Sequence, residues 1–293
     1  HLVPRSIQIE KHTAEIAEDR ISYFRAGAGP PLLLLHGLLG GSFCWRRNME
    51  ALSQHHTVFA LDLPGHGESD AARDLDCSMA MQASRVAALL ERLKLEEVDV
   101  VGCSWGGAIA MLLAAQSAKV RSLVLAAPVN PWSSFGARRI RFLIGRLGAA
   151  FLRTIWPVSH PLYRTAMARM YGDSRRMPAG TVEGYRSMVM RPGRVNNILN
   201  TLRSWEKDVN TLRAEIPKIK ARSLLIWGTR DGAVDVRSAD ALKQILPECQ
   251  LRLIEGAGHL PFEETPEEFN RLVLDFVDQQ MVPPGRGTIC KAL

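Results

Sequence analysis

The sequence predicts an α/β protein, and three observations carry the prediction. Eight short apolar or β-branched runs are spread along the chain, the longest interval between them has helical periodicity, and one run passes through a glycine-flanked turn into an Ala/Leu-rich helix. With 293 residues, 46% hydrophobic and 23% charged, the chain can bury a large core, and single-domain α/β folds reach this size.

In chain order the strand signals fall near residues 7–10, 20–25, 31–35, 57–62, 97–102, 121–126, 222–228 and 250–254. Leu32 to Leu35 is an unbroken apolar run, as a buried strand reads, and it opens into His36-Gly37-Leu38-Leu39-Gly40-Gly41, a loop whose amides are free to point at a ligand. Val58 to Asp62 runs into Leu63-Pro64-Gly65-His66-Gly67-Glu68-Ser69. Val98 to Val101 precedes Gly102-Cys103-Ser104-Trp105-Gly106-Gly107, and Ala108 to Ala115 continues as a helix with no charge on any face, as a buried helix reads. Arg222 to Trp227 leads into Gly228-Thr229-Arg230-Asp231-Gly232, and Leu251 to Ile254 into Gly256-Ala257-Gly258-His259-Leu260. The last helix opens on Thr265-Pro266-Glu267-Glu268, a cap, a proline at the first helical position and a capping-box glutamate. It then sets Phe269, Leu272, Val273 and Phe276 on a face that covers the sheet.

Gly-x-Ser-x-Gly alone arises by chance in about one chain in ten of this length. Its weight here comes from the strand before it and the helix after it, because flanking glycines let the backbone close a strained turn that pushes the serine hydroxyl outward at a helix N-terminus. Ser104 is therefore a candidate nucleophile, and Ser104, Asp231 and His259 each follow a strand, in the order nucleophile, acid, histidine.

Taken together, the H-G after one strand, the D-x-P-G-x-G-x-S after the next, the G-x-S-x-G turn, the G-x-x-D and the G-x-G-H resemble the α/β-hydrolase superfamily, from about residue 20 to 279. The resemblance implies a mostly parallel eight-stranded sheet flanked by helices, with a helical cap inserted after the sixth strand. It implies Ser104 as nucleophile, His259 as general base and acid, and Asp231 as the residue that orients the imidazole. It also implies an oxyanion hole built from the backbone amides of Trp105 and Leu38, with Leu39 a near-equal choice for the second donor. The chemistry needs these residue types: a serine hydroxyl is a poor nucleophile at neutral pH, a histidine must take and return its proton, and a carboxylate must hold the imidazole tautomer.

Other residues compete for these roles. Asp235 lies four residues beyond Asp231, but the G-x-x-D spacing favours Asp231. His36 and His66 stand beside glycines and read as structural, donating to backbone carbonyls, while His55 and His56 read as a solvated turn. Cys103, before the nucleophile position, reads as a small buried apolar residue. Haloalkane dehalogenases and epoxide hydrolases on this fold carry an aspartate at the turn, where this chain has Ser104. An acyl-serine intermediate is implied instead, leaving esters, thioesters, lactones, amides and activated C–C bonds as targets. The expectation is a carboxylic-ester hydrolase acting on small to medium apolar acyl groups, with a C–C hydrolase or a catalytically quiet receptor as alternatives.

The cap is placed at 130–213, the core at 7–129 and 214–281, a tag-like remnant at 1–6 and a mobile tail at 282–293. Trp132, Phe135, Trp156 and Trp205 in the cap, with Leu38, Trp105 and Leu260 below, are candidates to wall an acyl pocket, although core packing accounts equally for any one of them. Residues 131–220 carry 17 Lys and Arg against 5 Asp and Glu, while the rest of the chain carries 20 against 25, so the whole net charge of +7 comes from the cap. Ile140, Ile144, Leu147 and Phe151 read as one face of its first helix, and Arg139, Arg146 and Arg153 as another. That basic face is either a solvated surface or an attractor of anionic substrates or a lipid surface, giving peripheral membrane contact. No nucleic-acid recognition motif accompanies the charge, so nucleic acid is not an expected partner. No apolar run reaches membrane-span length, no signal peptide opens the chain, and five cysteines without paired spacing fit a reducing, cytoplasmic setting. No metal-ligand spacing or dinucleotide fingerprint is present, so no metal and no cofactor are expected.

Overall fold

The computed structural model describes residues 7–70, 75–133, 137–156 and 158–279, with the side chains of 137–139 outside that description. The tag-like segment 1–6, Phe135 and the tail 282–293 lie outside the described residues.

Eight strands form one sheet: β1 (Ile9–Ile16), β2 (Asp19–Ala26), β3 (Pro31–Leu35), β4 (Thr57–Leu61), β5 (Val98–Cys103), β6 (Val120–Ala126), β7 (Arg222–Gly228) and β8 (Gln250–Ile254). Their order is β1-β2-β4-β3-β5-β6-β7-β8. β1 pairs antiparallel with β2 and β2 antiparallel with β4, and every other neighbouring pair is parallel. Parallel strands are covered on both faces, which is why β3 reads as an unbroken apolar run and why Leu32 to Leu35 are fully buried, while β5 interrupts its apolar residues only at Asp99, whose buried carboxylate accepts from Arg121 Nε at 3.0 Å and Ser122 Oγ at 2.6 Å. β1 is longer than the expected 7–10 because it is a polar edge strand, largely exposed, that reaches its partner through a tight turn with Ala17 at φ 52°. Its residues carry no buried-strand pattern for a sequence reading to find.

The helices of the core are α1 (Met49–Leu52), α2 (Met79–Arg92), α3 (Ser104–Gln116), α9 (Ser238–Ile245), α10 (Pro261–Glu264) and α11 (Pro266–Asp278). α3 buries every residue from Trp105 to Ala114, as its lack of charge requires. α11 buries Phe269, Val273, Phe276 and Val277 and has Pro266 in its first turn, but Thr265 makes no side-chain cap. Its hydroxyl instead donates to Pro261 O at 3.0 Å, closing the preceding short helix, so the expected capping box does not form.

Between β6 and β7 the described chain is helical: α4 (Ala137–Ile144), α5 (Arg146–Thr154), α6 (His160–Ala168), α7 (Thr181–Val189) and α8 (Arg194–Glu215). The single helix expected from Arg139 to Arg153 is two, broken where Gly145 takes an extended conformation (ψ 164°). The break takes Leu147 off the apolar face shared by Ile140, leaving it 81% exposed while Ile140 is buried. It also divides the Arg139, Arg146 and Arg153 repeat between two helices.

Candidate active site

Three loops at the C-terminal ends of parallel strands build the site, as open α/β sheets commonly do. The first is the β5–α3 junction. Ser104 sits there at φ 51°, a left-handed conformation unusual for a residue with a side chain. The turn is held tight by Gly106, whose Cβ, were there one, would lie 2.5 Å from Leu35 O and 2.4 Å from His36 O. Cys103 is buried beneath the turn, as expected.

The second loop follows β7. Asp231 is fully buried at its carboxylate, and its Oδ1 accepts from the amides of Ala233 at 2.7 Å and Val234 at 3.0 Å. Its free Oδ2 accepts from His259 Nδ1 at 2.9 Å, which leaves Nε2 as the imidazole's other reactive nitrogen. Asp235, the alternative acid, instead holds Arg237 through Nε and Nη2 at 2.9 and 2.6 Å at the surface.

The third loop carries His259 after β8, and the helical insertion anchors it. His259 N donates to Met170 O at 2.7 Å. The buried Glu264 carboxylate accepts from Gly258 N at 2.8 Å, and from Gly172 N and Asp173 N at 2.9 Å each. Next to it, buried Glu263 accepts from Tyr171 Oη at 2.9 Å and Arg46 Nη2 at 2.8 Å, and from Tyr185 Oη. These carboxylates strap the insertion to the histidine loop. Sequence reading missed them because their partners other than Gly258 lie some 80–220 residues away, without a local signature.

The His36 loop closes the floor. His36 is buried, donating through Nδ1 to Gly37 O at 2.8 Å and accepting from Leu63 N at 3.0 Å through Nε2. Gly40 N also donates to Gly37 O, at 2.9 Å. The Gly37 carbonyl and the Leu38 N–H belong to one trans peptide and point in opposite directions. Tying down Gly37 O thus fixes where the Leu38 N–H is aimed. The Trp105 amide lies in the first turn of α3, where a helix offers it no internal acceptor.

Ser104 and His259 line one cavity of about 160 Å³. Its floor includes Leu38, Leu39, Leu260 and Phe262, and its roof includes Trp156, Tyr163, Ala166, Met167 and Met170 from the insertion. Of the residues named as candidates to wall an acyl pocket, Leu38, Trp156 and Leu260 line this cavity. Trp105, Trp132 and Trp205 do not line it: Trp105 is fully buried with its ring 4.9 Å from His66, Trp205 is buried on α8, and Trp132 lies under the Arg213 guanidinium at 5.7 Å. Tyr163 and Met167 were missed because an i, i+4 apolar pair on a helix reads as core. Cys44 lines the cavity beside Cys103; burial and that neighbouring thiol push the Cys44 thiol well up, away from the reactive thiolate. Cys44, Cys77, Cys103 and Cys249 are free thiols. Among the described residues no group of three or more His, Cys, Asp or Glu is placed to hold a metal ion.

His56 corrects the expectation of a solvated turn: it is buried, with Nδ1 3.2 Å from Pro30 O and Nε2 3.0 Å from Asp278, whose helix the sequence could not place beside it. His66, as expected, is structural, its Nδ1 3.3 Å from Pro64 O. Burial, with the neighbouring His36, pushes the His66 imidazole down to about 3. An unfolded histidine takes its proton near pH 6.5, so between these values the unfolded chain holds the extra proton. This contribution to stability is full above pH 6.5 and is lost as pH falls toward 3. His66→Gln should therefore shrink the loss of unfolding free energy between pH 7 and pH 5 by about 2 kcal/mol, measured by urea melts. An unchanged difference contradicts a neutral, buried His66.

Residues 30–266 match the family described as the alpha/beta hydrolase fold. The chain belongs to that family. An uncharacterised protein of Mycobacterium tuberculosis is 33% identical over 269 residues, covering 86% of this chain and 76% of that protein. A monoacylglycerol lipase of Homo sapiens is 28% identical over 258 residues, covering 86% and 77%. The structure of an epoxide hydrolase, CorEH, superposes with a TM-score of 0.81 at 23% identity over 93% of this chain and 100% of that one, a likeness of fold. Among the described residues of this α/β hydrolase, no helix is long and apolar enough to cross a membrane.

Proposed function

We propose that this α/β hydrolase is a serine esterase that cleaves carboxylic esters of small to medium apolar acyl groups. One observation carries the reading: the left-handed Ser104 and the Asp231-bonded His259 face the same apolar cavity. With Nδ1–H held by Asp231, His259 Nε2 is the base that takes the Ser104 proton as Oγ attacks the acyl carbon. The amides of Leu38 and Trp105 receive the developing oxyanion. His259 then returns the proton to the leaving alcohol, an acyl-serine remains, and a water deprotonated by His259 releases the acid and restores Ser104.

The apolar cavity wall supports an acyl rather than a charged occupant, and the name of the human relative agrees with ester cleavage. A panel of p-nitrophenyl esters from acetyl to palmitoyl, run beside a thioester, a lactone and a meta-cleavage dienoate, tests it. Highest kcat/KM should fall on short to medium acyl esters. A dienoate ranking first would make the chain a C–C hydrolase, and a burst without turnover would make it a receptor.

A further inference from the structure

The outer face of the insertion joins two properties that solvent-facing helices rarely combine. Among the described residues ten large hydrophobic side chains are exposed, and five of them fall within α4 to α6: Phe142, Leu147, Ile155, Val158 and Leu162. Leu147 is 81% and Val158 63% exposed. The same stretch is purely basic. Arg138, Arg139, Arg141, Arg146, Arg153 and Arg164 lie in it, and the sequence holds no Asp or Glu between Asp99 and Asp173. Among the described side chains Arg141, Arg146 and Arg153 are exposed and form no ion pair.

These elements are continuous. α4 and α5 pack backbone to backbone at Gly148, where a Cβ would stand 2.1 Å from Phe142 O. α5 reaches α6 through the rings of Phe151, Trp156 and Tyr163, with centroids 6.5 and 5.2 Å apart. The outer apolar residues also alternate with the cavity wall: Ile155 and Val158 flank Trp156, and Leu162 lies one turn before Ala166. One helix–turn–helix thus turns apolar side chains both to solvent and into the candidate site.

We propose that the α4–α6 face docks on an anionic lipid surface, setting the cavity roof at the membrane interface. Exposed apolar side chains ringed by arginines are the features that seat a helix at a headgroup boundary, where apolar burial adds to attraction by anionic lipid. Positive charge from a stretch that holds no carboxylate of its own, with Glu183 of α7 set against His160 at 3.1 Å, selects that partner over a second copy of this chain, whose identical face would repel it. The docking does not depend on the proposed ester chemistry, since it concerns residues outside the cavity.

The test is co-sedimentation of the full chain with vesicles of phosphatidylcholine alone, and with phosphatidylglycerol added to about one third. Binding should be at least tenfold stronger to the anionic vesicles, and should weaken as salt shortens the Debye length from about 10 Å at 0.1 M to about 3 Å at 1 M. Leu147→Ser/Val158→Ser/Leu162→Ser and Arg141→Gln/Arg146→Gln/Arg153→Gln should each cut binding at least tenfold, with unchanged Tm and unchanged turnover of a soluble short-chain ester. Equal binding to both vesicle types, no binding to either, or full binding by either triple variant overturns the proposal. So does lipid-free self-association that the leucine and valine substitutions abolish. Loss of ester turnover in the wild type would count against the proposed function and leave the vesicle result standing.

Discussion

Ser104→Ala should leave a folded protein whose turnover of a short-chain ester falls by about 10⁴-fold or more, as loss of a triad nucleophile does. Alanine has the same left-handed cost as serine at φ 51°, so the turn should keep its shape and Tm should move little. Neighbouring amides and the cavity remain, so binding of a non-cleavable substrate analogue should survive. Stopped turnover with retained binding is the signature of a lost reacting atom. Retained turnover would place the chemistry elsewhere in the cavity.

Asp231→Asn should be the second most damaging change. The carboxylate Oδ2 accepts from His259 Nδ1 at 2.9 Å while Oδ1 is committed to the amides of Ala233 and Val234. An asparagine can keep Oδ1 in the turn, but then presents an N–H to Nδ1 and imposes the tautomer that carries its proton on Nε2. A base protonated there cannot accept from serine, and the expected loss in kcat is about 10⁴-fold with the fold intact. Asp235→Asn should change kcat/KM less than twofold, because Asp235 holds only Arg237 at the surface. Steady-state kinetics of the two variants separate these carboxylates, and the reverse ranking would move the acid to Asp235.

What the sequence made legible follows from where information is local. The run Leu32 to Leu35 and the strand–turn–helix at Ser104 are each written in neighbouring residues, so the buried sheet and the strained serine could be read directly. The order Ser104, Asp231, His259 was legible because each follows its own strand, and the structure adds that the last two are bonded. Longer-range features were not legible. Arg139 to Arg153 keeps helical periodicity across Gly145, and only tertiary packing decides that the backbone extends there. Trp205 and Trp156 look alike as aromatic residues in helical stretches, yet one packs into the core and the other walls the cavity. Glu263 and Glu264 carry no local sign of burial in the sequence. Their burial depends on Tyr171, Tyr185 and the 172–173 amides, which only the folded chain brings to them.

In the proposed chemistry a covalent intermediate forms on Ser104 and not on a thiol, although Cys103 and Cys44 line the same cavity. Peptide mapping of the wild-type chain after reaction with a fluorophosphonate reads this directly. One phosphonyl group is expected on Ser104, with Cys44 and Cys103 unmodified and no adduct in Ser104→Ala. A phosphonyl group on another residue, or an unmodified chain that still turns over esters, would contradict it.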